Sequence, residues 1–416
     1  MLEDYADRLK SLADAGIPQL REARQQLQRV YGEYLAADPW TDKLLKERQR
    51  EGWPAFVEYV LKTTEPVQGS DWPDFYVNAN TSGDKLPPLL VCLHTWSGDS
   101  AQSKPRNEMR DFAKSEGWAF LHPNFGGPNF DAEACASESA TSEIFDAVRE
   151  LVITKQVDPE RLYLVGFSGG GHMALHLAHR QNPKTFFEGM STKLQKKPSI
   201  WAAVAADAPI VDLAAWASAE EINLRLGLKA SKAKRKIGTD RYSNLVHNVC
   251  GGRLTLESVE KIKDEMEDGE GKLDPNDPVA KQYLQRSPLY HLGDPRNASH
   301  LRGLRIWLSA GLLDGIGSPV HPRHAVKAYR SLATLNGYSE EKELEDFWEP
   351  TRIRWHQEDD WITFNADPVI LHLHGEGHVY QTKLIAKWLG SGFKVPPEIY
   401  GGALVAQKSR RRAVMD

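Results

Sequence analysis

The segment Asp158-Pro-Glu-Arg-Leu-Tyr-Leu-Val-Gly-Phe-Ser-Gly-Gly-Gly-His-Met-Ala-Leu175 decides how this chain is read. Leu162 to Val165 is a short apolar run of the kind that forms a buried strand, and Met173 to Arg180 reads as the body of a helix. Between them Gly166-Phe-Ser-Gly-Gly170 is a complete G-x-S-x-G, so Ser168 falls on a strand-to-helix turn. A turn that sharp crowds its neighbours. The reading predicts that a Cβ at Gly166 or Gly170 would collide with the adjoining strand or helix. It also predicts free N–H groups and positive dipole at the helix start, where negative charge would develop. Ser168 is the candidate nucleophile; the alternative is a purely structural Gly-Ser turn.

A serine hydroxyl alone is a poor nucleophile, so this reading requires an acid and a base downstream in the order Ser, Asp/Glu, His. Arg305 to Gly315 begins as an apolar strand and ends in a Gly-bracketed loop carrying Asp314. A helix is expected from about His324 to Leu335. Val369 to His378 is another strand ending in a Gly-rich loop, which puts His378 just beyond a strand's carboxyl end, where a parallel sheet gathers its functional groups. Asp207 and Asp212, just past the strand expected at Ile200 to Ala206, are the alternative acids. The oxyanion hole requires two backbone N–H donors. Gly169 supplies one, and the strand Leu89 to His94 opens into Thr95-Trp96-Ser97-Gly98, where Trp96 is the expected second donor.

On these residues the chain resembles an α/β-hydrolase, and within that superfamily the prolyl oligopeptidase-like and dienelactone hydrolase-like serine esterases. The resemblance spans about residues 55 to 395. Its anchors are Asp158-Pro-x-Arg-x-Tyr-Leu-x-Gly-x-Ser-x-Gly-Gly171, the Leu312-Leu-Asp-Gly315 loop, the Gly375-x-Gly-His378 loop and Arg286-Ser-Pro-Leu289. It implies a mostly parallel sheet flanked by helices and an acyl-enzyme mechanism without cofactor or metal. The chain departs from the group at two positions. Gly169 stands where the peptidases carry Tyr, which argues against peptidase activity. Thr95 replaces the Gly of a His-Gly pair, which bears on the second oxyanion donor.

At 416 residues, with a net charge of −5, the chain carries no sign of nucleic-acid binding. No apolar stretch approaches the roughly 18 residues of a membrane span. No basic-then-apolar leader follows Met1, so a cytoplasmic protein is expected, with a processed secreted form as the alternative. Cys92, Cys135 and Cys250 have neither disulfide-framework nor metal-ligand spacing, and Cys92 reads as a small core residue.

Residues 1–50 read as an N-terminal helical extension with Leu20, Leu27, Tyr31, Tyr34 and Leu35 on one face. Residues 51–400 form the expected catalytic domain, which alternates strands and helices after an antiparallel opening. Within it, 212–298 is too long for one connecting helix and reads as a cap over the catalytic face. Its basic cluster (Lys229 to Lys236) and acidic cluster (Glu265 to Glu270) read as solvated helix faces. Residues 340–366, carrying Trp348, Trp355 and Trp361, read as a smaller insertion, and 401–416 as a C-terminal tail.

His372, His374 and His378 form an H-x-H-x3-H pattern that a metal site could use, weighed against His378 as a base. His172 reads as a packing or rim residue. Trp96, Trp201 and Trp216 are candidates to line a pocket, weighed against simple core positions. The expected function is ester hydrolysis by Ser168, Asp314 and His378 on a small-molecule or carbohydrate ester, carbohydrate-linked or aromatic. The alternatives are a prolyl oligopeptidase-like peptidase and an inactive hydrolase-fold binding module.

Overall fold

The computed structural model describes residues 75–76, 85–98, 102, 105–130, 132–217, 241–254, 273–293, 296, 298–312, 314, 320–338, 361–394 and 403–406. The expected N-terminal extension lies outside the described residues.

Among the described residues, nine strands make one sheet in the order β1-β3-β2-β4-β5-β6-β8-β7-β9. The strands are β1 (Phe75–Tyr76), β2 (Leu89–Leu93), β3 (Ala119–Leu121), β4 (Leu162–Phe167), β5 (Ala203–Asp207), β6 (Arg305–Gly311), β7 (Trp361–Ala366), β8 (Val369–His374) and β9 (Ala403–Ala406). From β3 through β2, β4, β5 and β6 to β8 every pairing is parallel. The strands at the centre are buried along their whole length and largely apolar because both faces are covered, the usual condition of a parallel sheet.

The period-two alternation of the pleat sorts these side chains into two cores. Leu89, Val91, Leu93, Leu162, Leu164, Val204, Ala206, Ile306 and Leu308 face one side. There they meet Ile144 and Val148 of α2 (Glu138–Ile153), Met173 and Leu177 of α3 (Gly169–Arg180), and Ala325 and Tyr329 of α6 (Arg323–Leu335). Leu90, Cys92, Val165, Phe167, Ala205 and Trp307 face the other side. Met109 and Ala113 of α1 (Arg106–Ser115), and Ile385 and Trp388 of α7 (Thr382–Gly390), cover them. Burying each large apolar side chain is worth about 1.5–3 kcal/mol, so the sheet is a stiff platform for its loops.

A third apolar cluster lies beyond the carboxyl ends of the strands. It joins Trp96 after β2, Phe130 after β3, Ile210 and Leu213 to Ala217 after β5 and Val320 after β6 to Leu245 of α4 (Arg241–Val249) and Tyr283 of α5 (Pro278–Arg286). Arg286 fastens this layer: its buried guanidinium donates to the carbonyls of Ala132, Ala134 and Cys135 at 2.8, 3.0 and 3.0 Å. The neighbouring Ser287 Oγ accepts from Leu213 N–H at 2.9 Å. Residues 218–240 and 255–272 of the expected cap, with both charge clusters, lie outside the described residues.

Two stretches differ from their sequence-based reading. Trp361 to Ala366, expected at the end of an insertion, is a sheet strand paired antiparallel with β8 from Trp361↔His374 to Ala366↔Val369. Ala403 to Ala406, expected in the tail, pairs parallel with β7. Residues 339–360, with Trp348 and Trp355, lie outside the described residues.

Candidate active site

Ser168 links β4 directly to α3 and has φ 55° and ψ −115°, a positive φ that costs a non-glycine residue energy. Its N–H donates to Asp207 O on the neighbouring strand at 2.7 Å, and its carbonyl accepts from His172 N–H at 3.0 Å. The flanking glycines explain how the turn fits. A Cβ on Gly166 would overlap the carbonyl of Gly170 at the start of α3, and one on Gly170 would strike the carbonyls of Leu93 and His94 at the end of β2. A Cβ on Gly169 would run into the backbone nitrogen and Cα of Trp96.

The Gly169 and Trp96 peptides are thus neighbours. As the first residue of α3, Gly169 has no acceptor for its N–H within the helix. Trp96 is held from both sides: Asn129 N–H donates to its carbonyl at 2.9 Å, and Gln102 grips the preceding Thr95. There Thr95 N–H donates to Gln102 Oε1 at 2.9 Å and Gln102 Nε2 donates to Thr95 Oγ1 at 2.8 Å. Thr95, which replaces a glycine of the resembling group, is a built part of this loop. Nothing local in the sequence marked Gln102 as its partner.

Asp314 and His378 come from loops beyond β6 and β8, adjacent parallel strands. His378 Nδ1 donates to Asp314 Oδ2 at 2.5 Å, and Val320 N–H donates to Oδ1 at 3.2 Å. Asp314 is 1% exposed, so its carboxylate meets the imidazole out of water. The two loops fit closely because Gly311 lets the carbonyls of Glu376 and Gly377 pass where a Cβ would stand. The structure brings Asp314 to His378, and Trp96 to Gly169; it records no hydrogen bond between Ser168 Oγ and His378. Such bonds are often loose before substrate arrives.

A parallel sheet whose strand β4 turns through a strained serine into a helix, with a carboxylate and an imidazole meeting over the ends of β6 and β8, defines one architecture. This is the α/β-hydrolase fold.

A family model described as BD-FAE matches residues 74–246, the part of the fold that carries Trp96, Ser168 and Gly169. Among curated proteins, "Putative esterase NocK" of Nocardia uniformis subsp. tsuyamanensis is 27% identical over 175 residues, 38% of this chain and 48% of that protein. "Bifunctional acetylxylan esterase/xylanase XynS20E" of Neocallimastix patriciarum is 25% identical over 142 residues, 31% of this chain and 21% of that protein. The matched region thus spans less than half the length of these relatives. Among solved structures, a Mycobacterium tuberculosis puromycin-hydrolyzing peptidase aligns with 18% identity and a TM-score of 0.43, covering 74% of this chain and 36% of its own.

The other residues singled out by sequence have separate partners. Asp207 accepts from Ser309 Oγ at 2.7 Å and from Gln381 N–H at 2.5 Å. Asp212 caps Ala215 N–H at 3.0 Å and accepts from Tyr290 O–H at 3.3 Å. Neither carboxylate is bonded to His378. His372 lies against Thr363 Oγ1 at 3.1 Å, and burial lowers its pKa to about 3. Among the described residues, no group of His, Cys, Asp and Glu is arranged to hold a metal ion. His172 is fully buried and donates from Nδ1 to Ile210 O at 2.7 Å. Trp96 and Trp216 pack edge to face at 4.7 Å in the layer beyond the strand ends, whereas Trp201 lies under the sheet against Phe145. Among the described residues, no helix is long and apolar enough to cross a membrane.

Proposed function

We propose that the chain is a serine hydrolase of the carboxylesterase type. The 2.5 Å bond between His378 Nδ1 and Asp314 Oδ2, over the same sheet that presents Ser168 on its strained turn, carries this reading. Asp314 holds the imidazole in the tautomer that leaves Nε2 free to take a proton. His378 removes the proton of Ser168 Oγ as the oxygen attacks an ester carbonyl. The N–H groups of Gly169 and Trp96 receive the oxyanion, and the α3 dipole adds to them. His378 then returns the proton to the leaving alcohol. Water, activated in the same way, hydrolyses the acyl-serine. No step draws on a metal or cofactor.

The substrate class is a small-molecule or carbohydrate ester. The partial relatives named for ester and acetylxylan hydrolysis support it. The layer built from Trp216, Leu245 and Tyr283 acts as the cap in this reading and shapes the acyl or alcohol pocket.

The test is a hydrolysis panel of short- and long-acyl esters, acetylated and feruloylated sugars, and aminoacyl amides. Turnover of one or more esters is expected, with Ser168→Ala slower by about 10⁴-fold or more and still folded. Wild-type rates in the Ser168→Ala protein would remove the nucleophile assignment, and turnover confined to the amides would replace the esterase by a peptidase.

A further inference from the structure

Asp207 ends β5, is fully buried, and has no part in the chemistry proposed above. It nevertheless touches both halves of the site. Its main-chain carbonyl accepts from Ser168 N–H at 2.7 Å. Its carboxylate accepts from Gln381 N–H at 2.5 Å, and Gln381 is the residue that opens α7 just after His378. Ser309 Oγ donates to the other carboxylate oxygen at 2.7 Å and is itself fixed by Trp307 Nε1–H at 3.0 Å. The carboxylate therefore has both oxygens satisfied, one by Ser309 within β6 and the other by the N–H that opens α7.

A buried carboxylate without a directly bonded cation is an expensive way to hold a helix start, because a neutral group could accept the same N–H. Burial raises its pKa to about 6, against the lowering effect of the Gln381 and Ser309 hydrogen bonds. The titratable groups whose charges reach it are His378, Asp314 and Tyr380.

We propose that Asp207 is a positioning residue for the hydrolytic site: it ties the chain following His378 to the strand end that holds Ser168, and places a second negative charge near the imidazole. This rests on the reading of Ser168 as nucleophile and His378 as base. The tie sets how His378 approaches Ser168. The charge favours the imidazolium that forms when Ser168 gives up its proton.

The test uses a fluorophosphonate probe, which requires no knowledge of the natural ester, and follows its rate of labelling from about pH 5 to 9. Four full-length proteins are compared: wild type, Asp207→Asn, Asp207→Ala and Ser168→Ala. Asparagine keeps an oxygen for Gln381 N–H and offers its amide to Ser309 Oγ, so it preserves the tie and removes the charge. Its plateau rate is expected within about threefold of wild type, with the acid limb moved to lower pH by about half a unit. Alanine removes both and is expected to lower the plateau by about tenfold or more. A wild-type plateau and an unmoved acid limb in Asp207→Ala overturn the proposal. Should Asp207→Ala fail to fold, the acid limb of Asp207→Asn decides alone, and an unmoved limb has the same meaning. Wild-type protein that is not labelled at Ser168 overturns the nucleophile reading itself, a failure recognisable because it precedes any comparison among the Asp207 variants.

Discussion

The two halves of the site are built by different means. The elbow half, from Leu93 through Trp96 and from Gly166 to Gly170, is held chiefly by backbone packed against backbone, with the Gln102 grip on Thr95 beside it, and its main sequence requirement is the absence of side chains at its glycines. The half around Asp314, His378 and Asp207 shares one such close approach, at Gly311, but is otherwise held by side-chain hydrogen bonds between loops of strands β5, β6 and β8. The first kind of construction tolerates almost no added atom. The second, away from Gly311, tolerates substitution sterically but not chemically. Stability and rate should therefore respond in opposite ways to changes in the two halves.

Among changes that leave the Ser168 nucleophile in place, the largest effect on rate belongs to the side-chain half. Asp314→Asn fits the same space but offers His378 Nδ1 the wrong tautomeric partner, and ester turnover should fall by about 10³–10⁴-fold. Thermal unfolding should stay within a few degrees of wild type. Steady-state kinetics with calorimetry checks both, and a variant that is fast but unstable would break the contrast.

The next effect is on stability and belongs to the elbow. Gly170→Ala brings a Cβ to about 2.5 Å from the carbonyls of Leu93 and His94, neither of which can move without shifting β2. The expected loss is about 3 kcal/mol by urea denaturation. Gly377→Ala, in the His378 loop, is the matched control: its Cβ would meet nothing within 4 Å, and the change should stay within about 1 kcal/mol. Equal losses at the two positions would erase the distinction.

This division also explains what could be read from sequence. The elbow was legible because it is local: strand, turn glycines and helix fall within Leu162 to Arg180, and each constrains its immediate neighbours. Asp314 and His378 were legible one step less directly, since each follows a recognisable apolar strand and parallel sheets collect such loops at one end. The bond from Gln381 to Asp207 spans 174 positions and depends on β5, β6 and β8 lying in register, information that no local pattern holds. Asp207 was visible as a carboxylate at a strand end, but its partner was not. β7 was missed for a related reason: as an antiparallel strand added beyond β8, it owes its place to pairing rather than to a continuous apolar run.

The smallest effect tests whether any titrating side chain supports the elbow half. His172 lies on the first turn of α3, and its Nδ1–H reaches Ile210 O in the loop after β5. Burial, offset by that hydrogen bond and assisted by the Arg286 charge, lowers its pKa to about 4. The unfolded chain, with histidine near 6.5, therefore binds this proton before the folded one does. Stability from neutral His172 is fully present above about pH 6.5 and is lost as pH falls toward 4, where the folded imidazole also titrates. At pH 5 the loss from this residue alone should be about 2 kcal/mol. His324, His372 and His374 are lowered in the same direction and steepen the acid side of the curve together with it. His172→Asn can keep a donor for Ile210 O without a titrating ring. Its urea midpoint should fall less than that of wild type between pH 7 and pH 5, while the two proteins differ little at pH 7. Parallel curves for the two proteins would mean that His172 carries none of the acid sensitivity, leaving the elbow supported by its backbone contacts and the non-titrating Thr95–Gln102 bonds.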